Sequence, residues 1–149
     1  MAKIIQHSFF YPHPSEMVWD YLTKPELIAQ WLMPNNFEPI VGHEFQLKAG
    51  PMPEMQFDGI FHCKVLEVDP FETLSYSWKF GPGDGTLTES VVIWTLSEKD
   101  NGTELLLVHR GFKGENFMAM LESMTEGWGK LVQKLSKVIE EATNGTTQA

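Results

Sequence analysis

The chain has 149 residues and a formal net charge of −9, from 11 basic against 20 acidic side chains. That balance argues against nucleic acid or an anionic membrane surface as the main partner, while leaving room for a basic patch on a protein partner. A hydrophobic content of 42 % suits one globular core, and no apolar run approaches a membrane span.

A single cysteine, Cys63, excludes an internal disulfide framework and suits the reducing cytosol, so the expected location is cytoplasmic. Lys3-Ile4-Ile5-Gln6-His7 turns polar too early for a signal-peptide core. No repeat or low-complexity block appears. Residues 1–149 read as one domain, with 143–149 as a frayed tail.

Lys3 to Tyr11 alternates loosely and predicts a first strand, ended by Pro12 and Pro14. Ser15 is a candidate cap for a short helix with Val18, Trp19 and Leu22 on its apolar side. Pro25 opens a second short helix, which Met33-Pro34 closes. Two such helices cannot cover a sheet but can plug one end of it. Glu44 to Ala49 predicts a strand, Gly50-Pro51-Met52-Pro53 a break, and Met55 to Val68 a longer strand. After a turn at Asp69-Pro70, Leu74, Tyr76, Trp78 and Phe80 alternate with Ser75, Ser77 and Lys79, the period of a strand. Gly81 to Gly85 forms a flexible hairpin loop. Leu87 to Leu96 follows, with Val92, Trp94 and Leu96 on one face. Asp100-Asn101-Gly102 is a hairpin signal, and Thr103 to Arg110 places Leu105, Leu107 and His109 on one face.

From Glu115 to Ala142 the pattern changes. Phe117, Leu121, Met124, Trp128, Leu131, Leu135, Val138 and Ala142 recur at steps of four and three, one face of a long helix. Its length is roughly 40 Å, and Asn144-Gly145 reads as its stop signal. Gly127 and Gly129 flank Trp128 in mid-helix, each at about 1 kcal/mol relative to alanine. Close packing against another element, a bend beside a cavity, and a coiled-coil seam each accommodate them. Strands joined by short turns imply an antiparallel sheet, which can curl around the helix and leave a hollow.

This order is similar to the helix-grip fold of the START-like (SRPBCC) superfamily. The expected class is α+β, with a six-stranded curved antiparallel sheet wrapped around a long C-terminal helix and two short helices after strand 1. Val18-Trp19-Asp20-Tyr21-Leu22-Thr23-Lys24-Pro25-Glu26-Leu27, then Trp31, resembles a signature of the family related to the heat-shock chaperone ATPase activator. Val41-Gly42-His43-Glu44-Phe45, Asp58-Gly59 and Val65-Leu66-Glu67-Val68-Asp69-Pro70 resemble further family segments. So do Leu74-Ser75-Tyr76-Ser77-Trp78, Gly102-Thr103-Glu104-Leu105, His109-Arg110-Gly111-Phe112 and Gly127-Trp128. The chain resembles a stand-alone, bacterial-type member of that family. Lys24 departs from the aspartate often found there, leaving Thr23 as the expected cap of the second helix. The resemblance implies binding of lipids, sterols, polyketides or hormones, or cyclase or aromatase activity. Relatives that stimulate the chaperone ATPase carry a second domain, which these residues do not contain.

The expected ligand pocket lies between sheet and long helix. Its lining is Phe57, Phe61, Tyr76, Trp78, Trp94 and His109, facing Phe117, Leu121, Met124 and Trp128, with Trp31 and Phe37 closing one end. Such a lining forms either a solid core or a cavity for a mostly apolar ligand. Met52, Met55, Met118, Met120 and Met124 are pliable candidates for an entrance, near the 50–53 and 81–85 loops. His109 reads either as a core histidine or as a pocket anchor or general acid/base, with Tyr76 as a second weak catalytic candidate. Cys63 and His62 point to opposite faces of one strand, so they form no dyad, and Cys63 reads as a small buried hydrophobe. The histidines are too dispersed for a metal site and no glycine-rich loop precedes a helix, so no metal and no cofactor are expected.

Three functions fit. The first is a binding protein for a small hydrophobic or aromatic molecule, more a module than an enzyme. The second is a co-chaperone-like stimulator of a heat-shock chaperone ATPase. The third is a cyclase- or hydrolase-type enzyme using the same cavity. The expected state is monomer or homodimer, with neither nucleic acid nor membrane as partner.

Overall fold

The computed structural model describes residues 4–52, 54, 57–113 and 118–147, without the side chains of 118–121 and 144–147. The elements run β1 (Ile4–Tyr11), α1 (Ser15–Thr23), α2 (Pro25–Trp31), β2 (Glu44–Lys48), β3 (Ile60–Asp69), β4 (Thr73–Phe80), β5 (Thr88–Lys99), β6 (Gly102–Lys113) and α3 (Met118–Thr147). The strands form one sheet in the order β1-β6-β5-β4-β3-β2. Every neighbouring pair is antiparallel. Successive strands β2 through β6 pair as a meander, and β1 then pairs with β6 to complete the sheet. At the β5–β6 turn, Asp100 and Asn101 both adopt positive φ, 48° and 63°. A tight hairpin that matches the strand twist requires that conformation.

Two bulges bend the sheet. On β3 the register shifts between Val65 and Glu67. On β6, Gly111 at φ 75° is the extra residue where Glu89 pairs with Lys113 but Val91 with Arg110. An extra residue on one strand raises local twist and curvature. The inner face carries Phe45, Leu47, Phe61, Cys63, Val65, Leu74, Tyr76, Trp78, Val92, Trp94, Leu105, Leu107 and His109, all buried.

Helix α3 closes that face. Its buried side chains are Met124, Trp128, Val132, Leu135 and Ile139, at steps of 4, 4, 3 and 4. The mean step exceeds the 3.5 of a coiled-coil seam and suits a straight helix on a sheet. The expected stripe therefore shifts: Val132 and Ile139 are core, Leu131 and Val138 half-buried, and Ala142 exposed. Tyr11 Oη donates to the Val132 carbonyl at 2.9 Å, fastening β1 to α3. Among the described residues no helix is long and apolar enough to cross a membrane.

Four local expectations are corrected. Ser15 is the first residue of α1 rather than its cap; Pro14 caps without a side-chain bond. Ser15 Oγ instead meets Thr103 Oγ1 at 3.1 Å, and Thr103 donates to the His13 carbonyl. Thr23 does not cap α2, because its hydroxyl donates back to the Trp19 carbonyl at 2.8 Å, and Lys24 takes the cap position. Strand β3 starts at Ile60, not Met55. Gly59 at φ 96° breaks the run, and the Asp58 carboxylate accepts from the Ile60 N–H. Helix α3 continues past the expected stop at Asn144-Gly145 to Thr147. There Thr143 Oγ1 donates to the Ile139 carbonyl at 2.9 Å and reaches Met17 Sδ on α1.

Candidate functional site between sheet and helix

The inward alternation of β3, β4 and β5 brings the aromatic side chains into one cluster. Phe61 and Trp78 lie 4.4 Å apart between ring centroids, and Phe57 and Phe61 4.6 Å. Trp128 from α3 stands 5.3 Å from Trp78 and 5.4 Å from Trp94. Trp31 of α2 meets Trp94 edge-on at 5.8 Å. Phe37 meets Tyr76 at 6.3 Å, so the 32–43 loop closes the same end. These offset and edge-on arrangements are the favourable ones for rings.

Trp31, Phe37, Phe57, Phe61, Tyr76, Trp78, Trp94, His109, Met124 and Trp128 are all buried. Phe117, the side chain of Leu121, Met55, and the side chains of Met118 and Met120 lie outside the described residues. Met52 pairs with Phe57 in an isolated bridge and packs on the core. Asp58, just before β3, holds the 81–85 loop. Its N–H donates to the Gly81 carbonyl at 2.8 Å, and its side chain lies beside Gly83.

A polar chain runs through the cluster. Trp128 Nε1–H donates to His109 Nδ1 at 3.1 Å. That bond makes Nδ1 the acceptor, so Nε2 carries the proton and donates to Ser90 Oγ at 2.8 Å. Ser90 in turn donates to the Trp78 carbonyl at 2.7 Å. Both ring nitrogens of His109 are thus engaged, and burial holds its pKa down to about 3. The ring is neutral at pH 7 and leaves no free nitrogen for a substrate. Tyr76 Oη accepts from Trp94 Nε1 at 2.8 Å, and burial pushes the phenol well above its usual range. Burial likewise raises the Cys63 thiol, which packs as a hydrophobe, while His62 faces outward from the next position on β3.

Ser90 is the residue that sequence reasoning missed. It shares the parity of Val92, Trp94 and Leu96 on β5, so alternation alone puts it on the inner face. Of the four most deeply buried indoles, three are paired and one is not. Trp31 donates to the Tyr21 carbonyl at 2.8 Å, and Trp94 and Trp128 have the partners above. Trp78 is 2 % exposed and its Nε1–H has no hydrogen-bond partner. An orphaned buried donor costs about 1–3 kcal/mol.

On the other side of the sheet, the bulged strands form an open groove of about 840 Å³. Its polar wall includes Glu44, His62, Lys64, Lys79, Glu89 and Lys113. Lys79 and Glu89 pair across β4 and β5 at 3.2 Å. This groove is open and carries charged side chains, where the inner face is aromatic and covered by α3.

Solved structures share this architecture. The chain resembles the crystal structure of protein MLL2253 from Mesorhizobium loti, at 31 % identity and a TM-score of 0.81, covering 93 % of this chain and 98 % of that one. It resembles the solution structure of Bacillus halodurans protein BH1534 at 28 % identity and a TM-score of 0.72, covering 93 % and 99 %. CalU16 from Micromonospora echinospora is 25 % identical with a TM-score of 0.73, covering 99 % and 82 %. No curated protein matches the chain. With the helix-grip fold in place and the family profile "Activator of Hsp90 ATPase homolog 1-like protein" matching residues 12–140, the chain belongs to that family.

Proposed function

We propose that this protein is a non-catalytic binding module that holds a small aromatic molecule between the sheet and α3. The observation that carries this reading is the ring cluster of Phe61, Tyr76, Trp78 and Trp94 under Trp128. Flat rings with few polar anchors suit a flat apolar guest, which binds by stacking and by displacing neighbouring rings. The low pKa and engaged nitrogens of His109 support binding over proton transfer. Native mass spectrometry of freshly purified protein, compared with its denatured mass, tests the reading. Extra mass that disappears on denaturation is the expected result. A bare polypeptide mass, together with tryptophan fluorescence that does not respond to added diphenylmethane, would overturn it.

The name of the family favours a second reading, a co-chaperone-like factor that stimulates a heat-shock chaperone ATPase through its acidic surface. Under that reading, the ATPase rate of a purified chaperone rises with added protein and the rise weakens with salt. An unchanged rate removes it.

A further inference from the structure

We infer that the interior ligand is a neutral aromatic molecule bearing a hydrogen-bond acceptor, such as an aryl ketone or quinone, and that Trp78 Nε1–H receives the acceptor. The inference rests on the binding-module reading and names the chemistry of its guest.

The first ground is the orphaned donor. Trp78 is enclosed by Phe61, Tyr76, His109 and Trp128, with ring centroids 4.4 to 6.4 Å away. Its Nε1–H is buried without a partner, whereas Trp31, Trp94 and Trp128 all donate. Native folds leave few such groups, and each asks for an explanation. None of its ring neighbours accepts from it. His109 Nδ1 already accepts from Trp128, and Tyr76 Oη from Trp94. An oxygen on a stacked guest satisfies Trp78 without breaking those bonds.

The second ground is charge. Among the described residues the buried polar side chains are Ser15, Thr23, Ser75, Thr88, Ser90, Thr103 and His109, and no lysine, arginine or carboxylate is among them. A carboxylate or phosphate on the guest would therefore enter with no counter-charge, at a large desolvation cost. Lys64, Lys79 and Lys113 line the groove on the opposite side of the sheet and cannot serve the interior. Fatty acids and phosphorylated guests are thus disfavoured, and an uncharged carbonyl is favoured.

The test compares three probes on the full chain: benzophenone, diphenylmethane, which replaces the carbonyl with a methylene, and 4-benzoylbenzoate, which adds a charge. Amide and indole NMR spectra follow the signals of the five tryptophans, with Trp78→Phe assigning one of them. Benzophenone is expected to move the Trp78 indole proton downfield and to bind about tenfold tighter than diphenylmethane. In Trp78→Phe the two probes should bind alike. Equal affinities in the unmodified protein, with the Trp78 signal still while other interior indoles move, would overturn the inference and leave the binding module standing. The affinity comparison itself needs no variant, and NOE contacts from the Trp78 indole to Phe61 and Trp128 assign its signal if Trp78→Phe folds poorly. Binding of 4-benzoylbenzoate as tightly as benzophenone would overturn the neutral-guest claim. If no probe moves an interior indole, both readings fall.

Discussion

His109 has 0 % exposure and so must meet its hydrogen-bonding needs inside the protein. Trp128 supplies a donor to one nitrogen and Ser90 an acceptor for the other, which suits only the neutral ring. An unfolded histidine titrates near 6.5, whereas burial holds His109 near 3. Below 6.5 the unfolded chain therefore takes up a proton that the folded protein refuses. Stability is flat above 6.5 on this account and falls as pH drops toward 3, with a slope approaching 1.4 kcal/mol per pH unit, about the value for one proton. Urea midpoints between about pH 7 and about pH 5 avoid most carboxylate titration. They should decline in the parent protein and stay flatter in His109→Gln. An equal slope in the variant would assign the effect to other groups. A buried or anchoring histidine was legible from the parity of Leu105 and Leu107. Its protonation was not, because that depends on Trp128, which is nineteen residues away and reaches His109 only through tertiary packing.

Helix α3 shows how an element's identity and its details separate. The spacing of Met124, Trp128 and Leu135 identified a helix and its buried side, and the sheet gave that side something to cover. The two glycines looked equivalent in the sequence, yet their surroundings differ. A methyl at Gly127 meets nothing within 4 Å, whereas one at Gly129 would lie 3.4 Å from His7 Cε1. His7 is itself tied to α3, its Nε2 lying 3.0 Å from the Thr125 carbonyl. The close-packing reading thus holds for Gly129, and Gly127 remains as a helix interior with an open side. Gly127→Ala should stabilise the protein by about 1 kcal/mol, which raises the melting temperature by roughly 2–4 °C for a chain of this size. Gly129→Ala should gain less, since its methyl would sit against His7 Cε1 at 3.4 Å, the tight edge of van der Waals contact. Thermal melts of the two variants side by side check the order, and equal gains would mean that His7 yields freely. The C-terminal end of α3 and the start of β3 were hidden for a different reason. A hydroxyl back-bond from Thr143 and a positive φ at Gly59 outweigh the local stop and start signals.

At the scale of the whole molecule, the curved sheet has two usable faces of opposite character. The inner face is closed by α3 and built from rings. The outer one is an open groove with Lys64 and Lys113 on its wall. If the interior holds the guest, Trp128→Leu should weaken benzophenone binding by about tenfold, from lost stacking and contact area. Lys64→Gln and Lys113→Gln should leave that binding unchanged. Calorimetric titration of the three variants checks this, and a lysine variant that weakens binding as much as Trp128→Leu would move the site to the outer groove.

The sequence by itself determined the element order, the antiparallel sheet and the inward set of Trp78, Trp94, His109 and Trp128. Those follow from periods of two and of about 3.6, which are properties of neighbouring residues along the chain. Only the tertiary structure decided which polar atoms meet. Three of the four most deeply buried indoles found partners on other elements or loops and Trp78 did not. It also decided that the lysines of β3, β4 and β6 gather in one groove on the outer face. Hydrogen-bond satisfaction is a matter of a few tenths of an ångström between residues far apart in the chain, and periodicity carries no such distances.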